Sequence, residues 1–143
     1  MTLTISPAGL DLIFSGALLF LIGLVQGVVI PKFTNSRMAL SAHLSAVQSG
    51  MALMIFGVIW GLLSLPAFWH TPVKLALILS MYLIWLGITV SAMTGASKAL
   101  PIAGEGYTGS KVSENLVTAI EGAGVFLSLM SGIAIVLGLV LAF

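Results

Sequence analysis

Four long apolar runs, separated by short polar breaks, organise the chain. They cover roughly residues 8–30, 39–63, 73–93 and 116–143. Each is long enough to cross a hydrocarbon core, which about 20 apolar residues span. Pro31, Lys32, Asn35 and Arg37 close the first run. Pro66 and Pro72 bracket "PAFWHTP", which reads as a tight turn with Trp69 and His70 at interface height. Residues 94–115, "TGASKALPIAGEGYTGSKVSEN", read as a Gly-rich loop of mixed charge, and Ser113 with the acid after it is a start signal for the last helix. The pattern predicts an all-α integral membrane protein, one four-transmembrane-helix bundle over residues 1–143.

Composition agrees with the pattern. Of 143 residues 59% are hydrophobic and 6% charged, with a mean hydropathy of +1.22. Soluble domains carry about 25% charged residues, so a water-exposed surface is out of reach. A net charge of +1 gives no attraction to nucleic acid, and the absence of cysteine excludes disulfides and thiolate metal sites. The opening "MTLTISPAGLD" has no basic residue, and the run after it is too long for a signal-peptide core, so the first helix is expected to stay. Lys32, Arg37, Lys98 and Lys111 lie in the first and third breaks, whereas the opposite side holds only Lys74. The positive-inside rule then places those two breaks in the cytoplasm and both termini outside.

With alternating helix directions, the polar residues of the spans gather toward the side of the first and third breaks. Gln26 ends the first span, and His43 and Gln48 begin the second. Thr89, Ser91 and Thr94 end the third, and Asn115, Thr118 and Glu121 begin the fourth. Polar groups from four helices at one depth are what a cavity requires, and an ionisable residue inside a span points to function by default. At about 100° per residue, His43 shares a helix face with Gly50, Met54, Gly57 and Gly61. Such small residues either let helices approach closely or leave room for something flat, and both readings stay open. His43 could equally be an interfacial imidazole bonded to a neighbour or to water, and the first turns of the long last helix, with Glu121, could stand in water. His70, beside the proline turn, reads as interfacial. Tyr82 lies mid-span with a hydroxyl that needs a partner, and the methionines read as core. In "GEGYTGSK" the order is Ser-Lys and no strand precedes it, so it is no phosphate loop.

The stretch "VIPKFTNSRMALSAHLSAVQSG" resembles the hydroxylaminobenzene mutases, small membrane enzymes that turn an aryl hydroxylamine into an aminophenol. The shared features are Ile30-Pro31 ending the first span, Arg37, and Leu40-Ser41-Ala42-His43 opening the second. More distantly, "AHLSAVQSGM" is similar to the styrene oxide isomerases, in which Gly and Met follow the histidine at the spacing of Gly50 and Met51. Ser49 stands where those isomerases carry an asparagine, so a polar contact to substrate is expected to differ.

The resemblance implies that His43 ligates the iron of haem b between protomers of a homotrimer, the ferric iron acting as a Lewis acid. It implies an intramolecular hydroxyl transfer on a small aromatic substrate that arrives through membrane lipid, in a bacterial inner membrane. Gly50 and Met54 would flank the cofactor, and Glu121, Tyr82, Gln48 and Ser49 are the catalytic pocket candidates. The residues accept this reading, because one imidazole, a flat dry slot and an open sixth position suffice. Two alternatives remain: a small proton-coupled exporter with Glu121 as proton carrier, and a haem-binding subunit of a larger complex.

Overall fold

The fold, seen in a computed structural model, is described for residues 4–143, so the first three residues of the N-terminal stretch lie outside it. Helix α1, Pro7–Val29, starts at the cap residue Ser6, whose Oγ accepts from the Gly9 N–H at 3.1 Å, with Pro7 in the first turn where no donor is needed. It tightens into a 3-10 turn at Ile30–Lys32 around Pro31. Asn35 caps α2, Ser36–Ile59, accepting from the Met38 N–H at 3.0 Å, and α2 also ends in a 3-10 turn, Trp60–Leu62. Helix α3 is Ala67–Thr94 and stops at Gly95, whose left-handed φ of 74° suits a residue without Cβ. A single turn, α4 (Pro101–Gly104), precedes α5, Lys111–Val140.

Two boundaries differ most from the sequence reading. The segment between Pro66 and Pro72 is already helical from Ala67. Pro72 falls in the second turn of α3, where its missing N–H deprives only the Phe68 carbonyl of a helical partner. The cap of α5 is Ser110, accepting from the Ser113 N–H at 3.1 Å, rather than Ser113 itself.

Helix α1 packs on α2, α2 on α3, and α3 on α5, whereas α5 scarcely reaches α1 or α2. The four spans therefore form a folded row rather than a closed ring. The α1–α2 seam is the closest. Gly9 and Gly16 on α1 meet Gly57 and Gly50 on α2, Gly23 meets Ala46 and Val47, and a Cβ on Gly50 would lie 2.7 Å from the Phe20 backbone nitrogen. Without a hydrophobic force between helices in lipid, such backbone proximity is what holds them. Leu12, Leu19, Ala46, Leu53, Trp60 and Leu77 fill the main core. The outward faces carry Phe14, Ile55, Phe126 and Val136, apolar residues suited to lipid. The methionines divide: Met38 is fully buried, whereas Met51, Met93 and Met130 lie on the outside.

The first and third breaks are fastened together, which puts them on one side. Asn35 is fully buried; its N–H donates to the Ala92 carbonyl at 3.0 Å and its Nδ2 to the Ala103 carbonyl at 2.9 Å. Arg37 donates to the Glu105 carbonyl. The Glu114 carboxylate accepts from the backbone N–H groups of Ser97, Lys98 and Gly109 at 2.9–3.1 Å. On the opposite side Lys74 pairs with Asp11, so the lone cation there is balanced.

Candidate active site

His43 lies half-buried where α2 crosses α1. Its Nδ1 is 2.7 Å from the Gly23 carbonyl oxygen. A carbonyl only accepts, so Nδ1 carries the hydrogen, and in the neutral imidazole the lone pair resides on Nε2. Hydrogen bonding of one ring nitrogen to backbone is the usual way a metal-binding histidine is oriented and made more basic. Gly27, one turn beyond Gly23, supplies the flat space: a Cβ there would stand 2.9 Å from both Cε1 and Nδ1 of the ring. One imidazole held through Nδ1 fits a haem iron, which the neutral ring would hold through Nε2. Among the described residues no cluster of three or more His, Asp or Glu exists.

The other expected residues divide among the seams. Gly50 and Met54 continue along the α1–α2 seam about two and three turns from His43, and the space that Gly50 leaves is taken by the α1 backbone. Gly57 behaves likewise, whereas Gly61 has nothing near it. Close helix approach accounts for two of these three glycines. Gln48 is exposed on α2 and Ser49 half-buried. Tyr82 finds its partner on α1, donating to the Ser15 carbonyl at 2.9 Å.

Most other polar groups at this depth are spent within the chain. Ser91 donates to the Ala96 carbonyl, Thr94 to that of Val90, and Thr118 to that of Glu114. Gln26 is buried in a small network: its Oε1 accepts from the Trp85 indole at 2.8 Å and its Nε2 donates to Thr89 Oγ1 at 3.1 Å. Trp85 was not among the residues singled out from the sequence. Its spacing was the available signal, since Tyr82, Trp85 and Thr89 share one face of a helix.

Glu121 is 8% exposed, and its Oε1 has no hydrogen-bond partner. It faces Gly87 of α3, where a Cβ would collide with the carboxylate. His43 thus belongs to the α1–α2 seam and Glu121 to the α3–α5 seam, and one chain does not bring them together. His70 pairs through Nε2 with the Leu65 carbonyl at 3.1 Å and stands edge-on to Trp60, ring centroids 6.1 Å apart. It ties the second break to the bundle.

Known proteins agree on a class. Residues 9–140 match the styrene oxide isomerase family. Hydroxylaminobenzene mutase HabA of Ectopseudomonas oleovorans is 38% identical over 105 residues, 73% of this chain and 78% of the relative. Hydroxylaminobenzene mutase HabB of the same organism is 34% identical over 115 residues, 80% of this chain and 70% of the relative. No solved structure gives a significant match. The family match, residues 9–140, spans both seams and includes the position of His43, and the chain belongs to the styrene oxide isomerase family as a membrane-spanning enzyme of the isomerase and mutase class.

Proposed function

We propose that this enzyme converts an aryl hydroxylamine into an aminophenol by intramolecular hydroxyl transfer, with haem b on His43 at the contact between protomers of a trimer in a bacterial inner membrane. The observation that carries this reading is the imidazole itself: Nδ1 is committed to the Gly23 carbonyl, and Nε2 is left to bind a metal. The two mutase relatives supply the substrate class by their names. Substrate and product are isomers. The N–O bond breaks, a ring C–O bond forms, and the ring hydrogen displaced ends on nitrogen, so no electrons enter or leave.

Ferric haem, when bound, supplies a Lewis acid for the oxygen leaving nitrogen. The chain's own part is orientation and exclusion of water. Gly27 lets the ring lie flat against α1, and the Gly23 carbonyl raises the basicity of the imidazole. Gln48 and Ser49, between one and two turns further along α2, would orient the substrate's nitrogen or oxygen. Tyr82 keeps a hydroxyl lone pair as an acceptor while holding α1 to α3. The apolar outer faces admit a substrate from lipid and keep bulk water from the reactive nitrogen.

Turnover in water enriched with heavy oxygen tests the reaction. Intramolecular transfer leaves the label out of the aminophenol. Attack by an external nucleophile puts solvent oxygen on the ring, and substantial label in the product overturns the proposal.

A further inference from the structure

Helix α2 lies between α1 and α3, which pack on its two flanks, and Ser45, Val47, Ala52 and Met54 on those flanks are half-buried. What remains outside is a ridge one residue wide. Leu44, Gln48, Met51, Ile55, Val58 and Leu62 are all exposed, spaced by alternating steps of four and three. That is the heptad pattern of a seam between parallel helices, with Gln48, Ile55 and Leu62 in one row and Leu44, Met51 and Val58 in the other. The apolar members would rest equally well on lipid. Gln48 would not. It stands midway along the span Ser36–Leu62, where a carboxamide without a partner is costly. Among the described residues no hydrogen bond reaches its side chain. Other polar side chains of the spans are served within the chain: Gln26 by Trp85 and Thr89, Asp11 by Lys74, and Thr118 by the Glu114 carbonyl.

We propose that α2 is the self-association helix of this enzyme: the ridge from Leu44 to Leu62 packs on the same ridge of a second copy, with the Gln48 carboxamides hydrogen-bonded to each other. Lipid tails offer neither donor nor acceptor. A second copy offers both, because copies inserted the same way round run parallel and bring Gln48 to one depth. Each carboxamide has two N–H donors and an oxygen with two lone pairs, so a bond between copies leaves capacity for a contact with substrate. A single polar layer in an apolar seam also fixes register, since copies out of step would strand it. His43, five residues before Gln48, lies well round the helix against Gly27 of α1. One helix thus carries the imidazole on its flank and the copy contact on its ridge. The face follows from Gln48 and its ridge alone; only the count of three copies rests on the proposed function.

The chain has no cysteine, so single-cysteine variants of the full chain in proteoliposomes read the contact by disulfide formation under mild oxidation. Met51→Cys and Ile55→Cys should give disulfide-linked pairs whose yield persists as lipid is added. Phe14→Cys and Phe126→Cys, on the outer faces of α1 and α5, should give few. Energy transfer between labelled copies over a lipid dilution series reads the strength. Gln48→Leu should weaken association about tenfold, whereas Gln48→Asn, which keeps a carboxamide, should stay within about threefold. His43→Ala should leave both readouts in place. Equal cross-linking from Phe126→Cys, or association indifferent to Gln48→Leu, overturns the seam. Gln48-dependent association in a protein that shows no hydroxyl transfer supports the seam and sinks the proposed reaction instead.

Discussion

Gly27→Ala isolates the positioning of His43 from the stability of the bundle. The added methyl would lie 2.9 Å from Cε1 and Nδ1 of the ring, whereas ordinary contact starts at 3.4 Å. The ring must therefore retreat by about 0.5 Å, and a hydrogen bond of 2.7 Å to the Gly23 carbonyl stretches to the edge of bonding distance. Losing that bond costs about 0.5–1.5 kcal/mol. Gly27 lies in the last turn of α1, so replacing it with alanine returns at most the about 0.8–1.0 kcal/mol of helix propensity of an interior position. Net stability should thus change little. The proposed haem site on His43 should suffer more, because loss of an outer-shell partner of a ligating histidine typically lowers metal affinity about 10–100-fold. The assay is a haem titration of the haem-free protein in detergent, followed by the Soret band, beside a thermal melt. Imidazole 15N–1H correlation reads the Nδ1–H tautomer without haem. A variant with wild-type haem affinity and an unaltered Nδ1–H resonance would refute the positioning role of the Gly23–Gly27 surface.

Three further outcomes are expected. His43→Ala should abolish the Soret band of the purified protein and His70→Ala should leave it nearly intact; the reverse pattern in the visible spectrum would reassign the ligand. Gln26→Leu removes both hydrogen bonds of the Trp85–Gln26–Thr89 network, and should destabilise the bundle by about 0.6–1.7 kcal/mol in unfolding from mixed micelles, with a change in tryptophan emission. Glu114→Ala frees the N–H groups of Ser97, Lys98 and Gly109, so hydrogen exchange should accelerate at those three amides while the spans keep their protection.

The four spans and the histidine were legible in the sequence because length and hydropathy decide what crosses a bilayer, and because an imidazole in such a span is rare. Periodicity placed His43, Gly50 and Gly57 on one face of a helix, but periodicity cannot say what covers that face. The structure answers that α1 does, through Gly16 and Gly9. The same gap explains Glu121. Its depth was readable, yet pairing of α5 with α3 rather than α2 follows from Gly87 and Gly124 giving close approach, and 16 glycines offer too many such pairings. Asn35 looked like one polar residue in a break. Its three bonds to Met38, Ala92 and Ala103 depend on the third break folding back, which no local pattern announces. The start of α3 was missed because two prolines suggested a turn, whereas a proline in the second turn costs a single backbone bond.

The α1–α2 seam also bears on how the protein is made. Everything that orients the imidazole, from Gly9 through Gly23 and Gly27 to Gly57, belongs to the first two spans. A nascent chain that has delivered only this hairpin to the membrane already holds the contacts that fix His43, before α3 and α5 leave the ribosome. The later half can then vary in its grooves and polar groups over evolutionary time without disturbing the hydrogen bond that orients His43.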